Sequence, residues 1–154
     1  CKMALRTHSS TAVEKYSQEA ADKCVPLDSE LIKEAIPLFT QIHHCGSVLA
    51  EVFFAMMISR ILYGSVPAPG TMVIFSILLA TCSIGTPGLP WGTVMVSLGT
   101  LTGILKFGDS GLALMFAVFA LNDAFAAACN ATCDGAAALF LTGYVKRHDF
   151  SNRL

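Results

Sequence analysis

Charge is what this sequence has least of. Charged residues make up 14% of its 154 residues, where a soluble domain carries about 25%. Apolar residues make up 54%, and the mean hydropathy is +0.61. Between Ala35 and Val145 the charged side chains are Glu51, Arg60, Lys106, Asp109, Asp123 and Asp134 alone. There is no basic stripe, and the formal net charge is −1, which excludes a nucleic-acid partner. No Cys-x-x-Cys pair occurs. The six cysteines, at positions 1, 24, 45, 82, 129 and 133, follow no framework and read mostly as reduced, buried thiols. No nucleophile–base pair stands at a convincing spacing, so an enzyme is not expected. No signal peptide is visible. The chain opens on Cys1 without a Met, in mid-pattern, as expected of a piece of something longer. The composition that remains is that of an integral membrane protein with polar ends.

Within it, Ser83 to Trp91 reads Ser-Ile-Gly-Thr-Pro-Gly-Leu-Pro-Trp. Two Gly and two Pro in this stretch forbid a regular helix. Apolar runs lead in from Thr71 to Cys82 and out from Gly92 to Leu105. Each is too short for the roughly 20 residues that cross a bilayer, so the pair is expected to form a re-entrant hairpin. Its non-helical tip must sit in protein or face a watery cavity, which makes it a candidate ligand site. A plain turn between two buried helices is the alternative.

The polar segment 1–28 opens with the hydroxyl-rich Thr7-His8-Ser9-Ser10-Thr11, suited to helix capping, and continues as a helix over Ala12 to Lys23. Ser29 is expected to cap a helix that enters the apolar zone at Ala35. Gln41 to Ser47 interrupts that helix with polar groups, and Val48 to Tyr63 continues it, with Glu51 four residues after Ser47. A polar break midway along a spanning helix marks a functional site or a buried helix contact. Gly64 to Gly70 and Lys106 to Gly111 read as loops, and Leu112 to Tyr144 as a long last helix. On that helix Asp123, Ala127, Asn130 and Asp134 share one face. Two carboxylates and an amide there must meet a cavity, a partner or a cation rather than lipid. The basic Lys146-Arg147-His148 places the C-terminus in the cytoplasm.

Four of these stretches, one of them imperfectly, resemble the sodium:dicarboxylate symporter family, which includes glutamate and neutral amino acid transporters. Ser83 to Pro90 is similar to the tip of that family's second re-entrant hairpin. Asp123, Asn130 and Asp134 repeat its last-helix spacing of seven and four. His43-His44-Cys45-Gly46-Ser47 stands where the family has Asn-Met-Asp-Gly-Thr, and Thr7 to Thr11 resembles the serine-rich first tip, imperfectly. The resemblance implies an all-α membrane protein, the C-terminal transport core, with two re-entrant helical hairpins and two spanning helices, one of them broken. Its divisions would be 1–28 for the first hairpin in part, 29–63 for the broken spanning helix, 64–105 for a loop and the second hairpin, and 106–154 for the last spanning helix and cytoplasmic tail. It implies symport of an amino acid with Na⁺ as coupling ion, no organic cofactor, a multi-pass protein in the bilayer, and a homotrimer in the full-length protein. Carried over by position, Ser9, Ser10, Ser83, Gly85, Thr86, Gly88, Asp123, Ala126, Ala127 and Asn130 would line the substrate. Asn130, Asp134, His43, Ser47, Ser83, Ile84 and Thr86 would line sodium.

The departures narrow this. Where the family has Asn and Asp in its broken helix, this chain has His43 and Cys45, both poor Na⁺ ligands, so at least one sodium site is expected to be missing. The arginine that acidic-substrate members carry three residues after the first Asp is here Ala126, which points to a small neutral amino acid. Acidic amino acid or dicarboxylate symport is the alternative, with Arg6 as the one stand-in cation. A further alternative is a degenerate membrane protein holding a soft metal on His43, His44, Cys45, Cys129 and Cys133, and another is an inert remnant of a transporter.

Overall fold

The computed structural model describes residues 2–24, 29–86 and 90–148. The described residues form helices and connecting turns, with no strand among them. The order is α1 (Lys2–Thr7), a 3₁₀ turn (Thr11–Val13), α2 (Glu14–Asp22), α3 (Ser29–Ile42), α4 (Cys45–Tyr63), α5 (Pro69–Ile84), α6 (Gly92–Gly103) and α7 (Asp109–Arg147).

The 39-residue α7 is the mast of the molecule. At ~1.5 Å per residue it runs about 58 Å, well beyond a bilayer's hydrocarbon core of about 30 Å. It lends side chains to three apolar clusters in turn. Met115 and Phe119 pack with Ala55 and Ile58 of α4, Phe75 and Leu79 of α5, and Val94 and Leu101 of α6. Ala127 meets Ala4 and Val13 of the N-terminal segment. Ala138 meets Ala21, Ile32 and Ile36. Small side chains on the mast let the N-terminal helices approach its second half, while large ones fill the first.

Two stretches are long and apolar enough to cross a membrane, Ser29–Tyr63 and Asp109–Arg147. Large apolar side chains stand bare on the outside: Leu49 at 72% exposure, Phe140 at 79% and Leu121 at 81%. Water would not tolerate so broad an apolar surface, and lipid does.

Local chemistry sets the helix ends. Both loops end earlier than the sequence suggests. Pro69 opens α5 inside the expected 64–70 loop, because its fixed φ suits a first helical position. Asp109 opens α7 three residues ahead of Leu112, where its carboxylate favours the helix N-terminus. Gly64 closes α4 at φ +78°, a left-handed conformation that glycine adopts without strain. Pro37 lies inside α3 and removes the N–H that the Lys33 carbonyl would otherwise receive. The Gln18 amide of α2 reaches that carbonyl instead, at 3.4 Å. The expected break at Val25 to Asp28 and the hairpin tip at Pro87 to Leu89 lie outside the described residues, as do residues 149–154 of the tail.

Candidate functional site

Helical pairing stops after Ile42 and resumes at Cys45, leaving His43 and His44 between α3 and α4. Three side chains hold this interruption. Asn130 of α7 faces the first turn of α4. Its Oδ1 accepts the backbone N–H groups of Gly46 at 2.7 Å and Ser47 at 3.3 Å, and its Nδ2 donates to Ser47 Oγ at 3.0 Å. The amide thus satisfies N–H groups that a helix start leaves without intrahelical partners. His43 Nδ1 donates to Asp134 Oδ1 at 3.0 Å, and His44 Nδ1 donates to the Ser83 carbonyl at the end of α5, also at 3.0 Å. Carboxylate and carbonyl only accept, so the Nδ1 of each imidazole carries the hydrogen.

The approach of α4 to α7 is possible because residue 46 is glycine. A Cβ there would stand 2.5 Å from the Cys129 Cβ and 2.6 Å from the Ala126 carbonyl, closer than real carbon contacts. Beside this seam the Cys45 and Cys133 thiols meet. A cavity of about 620 Å³ opens along it, lined by Leu49, Phe53, Phe125, Ala126 and Cys129 among others.

A second polar group lies further along the mast. Asp123 is buried, and the backbone N–H of Trp91, at the start of α6, faces its carboxylate, with His8 close by. Asp123 Oδ2 has no hydrogen-bond partner among the described residues. Ser9 and Ser10 are buried in the N-terminal segment that packs on Ala127. Trp91 has φ +61°, a left-handed conformation unusual for a residue with a side chain.

The residues singled out from the sequence therefore fall into two groups. Ser47, His43, Asn130, Asp134 and Ser83 gather at the helix interruption. Asp123 lies beside Trp91 and His8, and Ala127 packs on the N-terminal segment that carries the buried Ser9 and Ser10. Ala126 lies between them, buried on α7. Thr86 is buried, with its hydroxyl on the Cys82 carbonyl at 3.2 Å, while Ile84 and Gly85 are exposed. Gly88 lies outside the described residues.

Two placements escape sequence reading. Glu51 does not join the Ser47 group but lies fully buried in the main apolar cluster, where its Oε1 accepts the Ser97 hydroxyl of α6. No spacing in the sequence pairs residues 51 and 97. The Ser83 carbonyl, a backbone group, is likewise invisible in a list of side chains. The soft-metal alternative finds no geometry: among the described residues no group of three or more His, Cys, Asp or Glu side chains is arranged to hold a metal ion. His43 is turned to Asp134 and His44 to the Ser83 carbonyl of α5.

The model of the sodium:dicarboxylate symporter family matches residues 1–143. The chain belongs to this family. It is accordingly a symporter-type membrane transporter, with a small molecule as substrate and lipid around it. Comparison with curated proteins and with solved structures found no match. The Asp–Asn–Asp face of the last helix packs against an interrupted helix, and buried polar groups at membrane depth face a cavity, a partner or an ion.

Proposed function

We propose that this symporter carries a small neutral amino acid, coupled to sodium. The observation that carries the reading is the electrostatic balance around Asp123. Its carboxylate is buried with one oxygen free among the described residues, which suits a substrate ammonium group. No Lys or Arg is buried among the described residues, and Arg6, the one stand-in cation for an acidic side chain, is exposed. A second substrate carboxylate would enter unpaired, at a penalty of several kcal/mol. Buried Ala126 and Ala127 leave small, apolar walls.

In this reading the substrate sits among the Ser9–Ser10 segment, the start of α6 and Asp123, with the hairpin tip offering N–H groups to its α-carboxylate. The 16-residue α5 and the 12-residue α6 reach about 24 Å and 18 Å, each short of a bilayer's thickness. Their lengths support a re-entrant second hairpin, and the interruption at His43–His44 supports a broken spanning helix over 29–63. Sodium is placed at the carbonyls of Ile84 and Thr86, near the end of α5. The homotrimer and the cytoplasmic C-terminus rest on the family resemblance and on the basic end of α7.

Competition binding on the full-length protein tests the substrate. Alanine, serine and threonine should displace one another, and aspartate should compete at least tenfold more weakly, ~1.4 kcal/mol. Ala126→Arg should shift the preference toward aspartate by supplying a forked partner for its side chain. Strong aspartate or succinate binding by the unmodified protein would overturn the assignment.

A further inference from the structure

At the helix interruption, Asn130 Oδ1, the Ser83 carbonyl, Ser47 Oγ and Asp134 Oδ1 each already receive a hydrogen from the chain itself. Asn130 Oδ1 accepts two backbone N–H groups, which uses both of its lone pairs. The Ser83 carbonyl also accepts two, from His44 Nδ1 and from the Thr86 backbone, each at 3.0 Å. Ser47 Oγ accepts from Asn130 Nδ2. Asp134 Oδ1 accepts from His43 Nδ1. A hard cation is held by oxygen lone pairs, and here N–H groups point at those lone pairs. Two of the four sets of donors are imidazoles from adjacent positions, His43 and His44. They reach in opposite directions, one to the mast and one to α5.

We infer that His43 and His44 take the place of a coupling ion at this position, so that the Asp134–Asn130 corner is closed to sodium and joined by the protein's own hydrogen bonds. The two histidines link α7, the interrupted helix and the end of α5 through the protein's own hydrogen bonds, a linkage that a bound cation would make only when present. The inference rests on the reading of the chain as a sodium-coupled carrier and limits where sodium can bind. It leaves the carbonyls of Ile84 and Thr86 available.

The test uses the full-length protein in lipid nanodiscs and sodium alone, without substrate, so that it is independent of the substrate assignment. A ligand that binds the folded state raises the melting temperature with its concentration, and choline replaces sodium as the control. His43→Asn removes the donor on Asp134 and supplies an amide oxygen. It should raise sodium affinity at least tenfold, ~1.4 kcal/mol. Adding Asp134→Asn should abolish that gain. Asp134→Asn in the unmodified background should weaken the sodium response far less than it does beside His43→Asn, a coupling that the double-mutant cycle isolates. No gain from His43→Asn, or an equal loss from Asp134→Asn in both backgrounds, overturns the inference. A second measurement needs no variant. In protein carrying isotope-labelled histidine, the Nδ1–H resonance of His43, on Asp134, should persist unshifted as sodium is added to saturation. Its displacement by sodium would overturn the inference as well.

Discussion

Asn130 uses both ends of its amide on the first turn of α4, and it is buried at 2% exposure. Its role is therefore structural as well as electrostatic. Asn130→Ala strands the N–H groups of Gly46 and Ser47 in a buried place, and each unmade bond costs roughly 1–3 kcal/mol. The expected outcome is a loss of about 2–4 kcal/mol in stability, read by denaturation in detergent. Asn130→Asp keeps an acceptor for both N–H groups and should recover more than half of that loss. Equal damage from the two substitutions would show that the acceptor is not what matters. Glu51 presents the opposite case. Its Oε2 has no partner among the described residues, so the Ser97 hydroxyl is the one hydrogen bond described for its side chain.

At the scale of elements, the seam between α4 and α7 depends on close backbone approach. Gly46 permits it, because no side-chain carbon would fit between the Ala126 carbonyl and the Cys129 Cβ. Gly46→Ala should force the helices apart, break the Asn130 bonds and destabilise the protein by several kcal/mol, as overpacked and disconnected sites do. Cys129→Gly should rescue it only in part, since the Ala126 carbonyl remains 2.6 Å from the new Cβ. Full rescue would assign the conflict to the Cys129 side chain alone. Gly111 makes a comparable close approach at the other end of α7, where a Cβ would stand 2.6 Å from the Tyr63 hydroxyl.

Across the whole molecule, the two loops lie at one end. The Gly108 N–H donates to the Tyr63 hydroxyl at 3.0 Å, and the Tyr63 and Phe107 rings lie 5.6 Å apart. The N-terminal helices pack near the other end of the mast, where Ala138 meets Ala21 and Ile32 and where Lys146 and Arg147 end α7. Basic residues beside a spanning helix favour the cytoplasm. Cysteines introduced as Pro67→Cys and His148→Cys in a Cys-poor background should differ in labelling, with Pro67→Cys reached from outside and His148→Cys only after permeabilisation. Equal access from outside would sink this orientation.

The sequence by itself determined the class and most of the elements, because these depend on local or periodic chemistry. Sparse charge and long apolar runs specify helices for lipid. Gly and Pro punctuate them, and Asp123, Asn130 and Asp134 fall on one face by helical periodicity alone. Motif spacing was enough to point to the family. What only the tertiary structure decided is who meets whom across helices. That Asn130 clamps α4, that His43 and His44 reach in opposite directions, and that Glu51 turns to Ser97 all depend on how helices distant in sequence are rotated and packed. Such pairings join residues 39 to 91 positions apart, and no one-dimensional period encodes them. The Ser83 carbonyl makes the same point most plainly, since a backbone oxygen carries no residue type for the sequence to display.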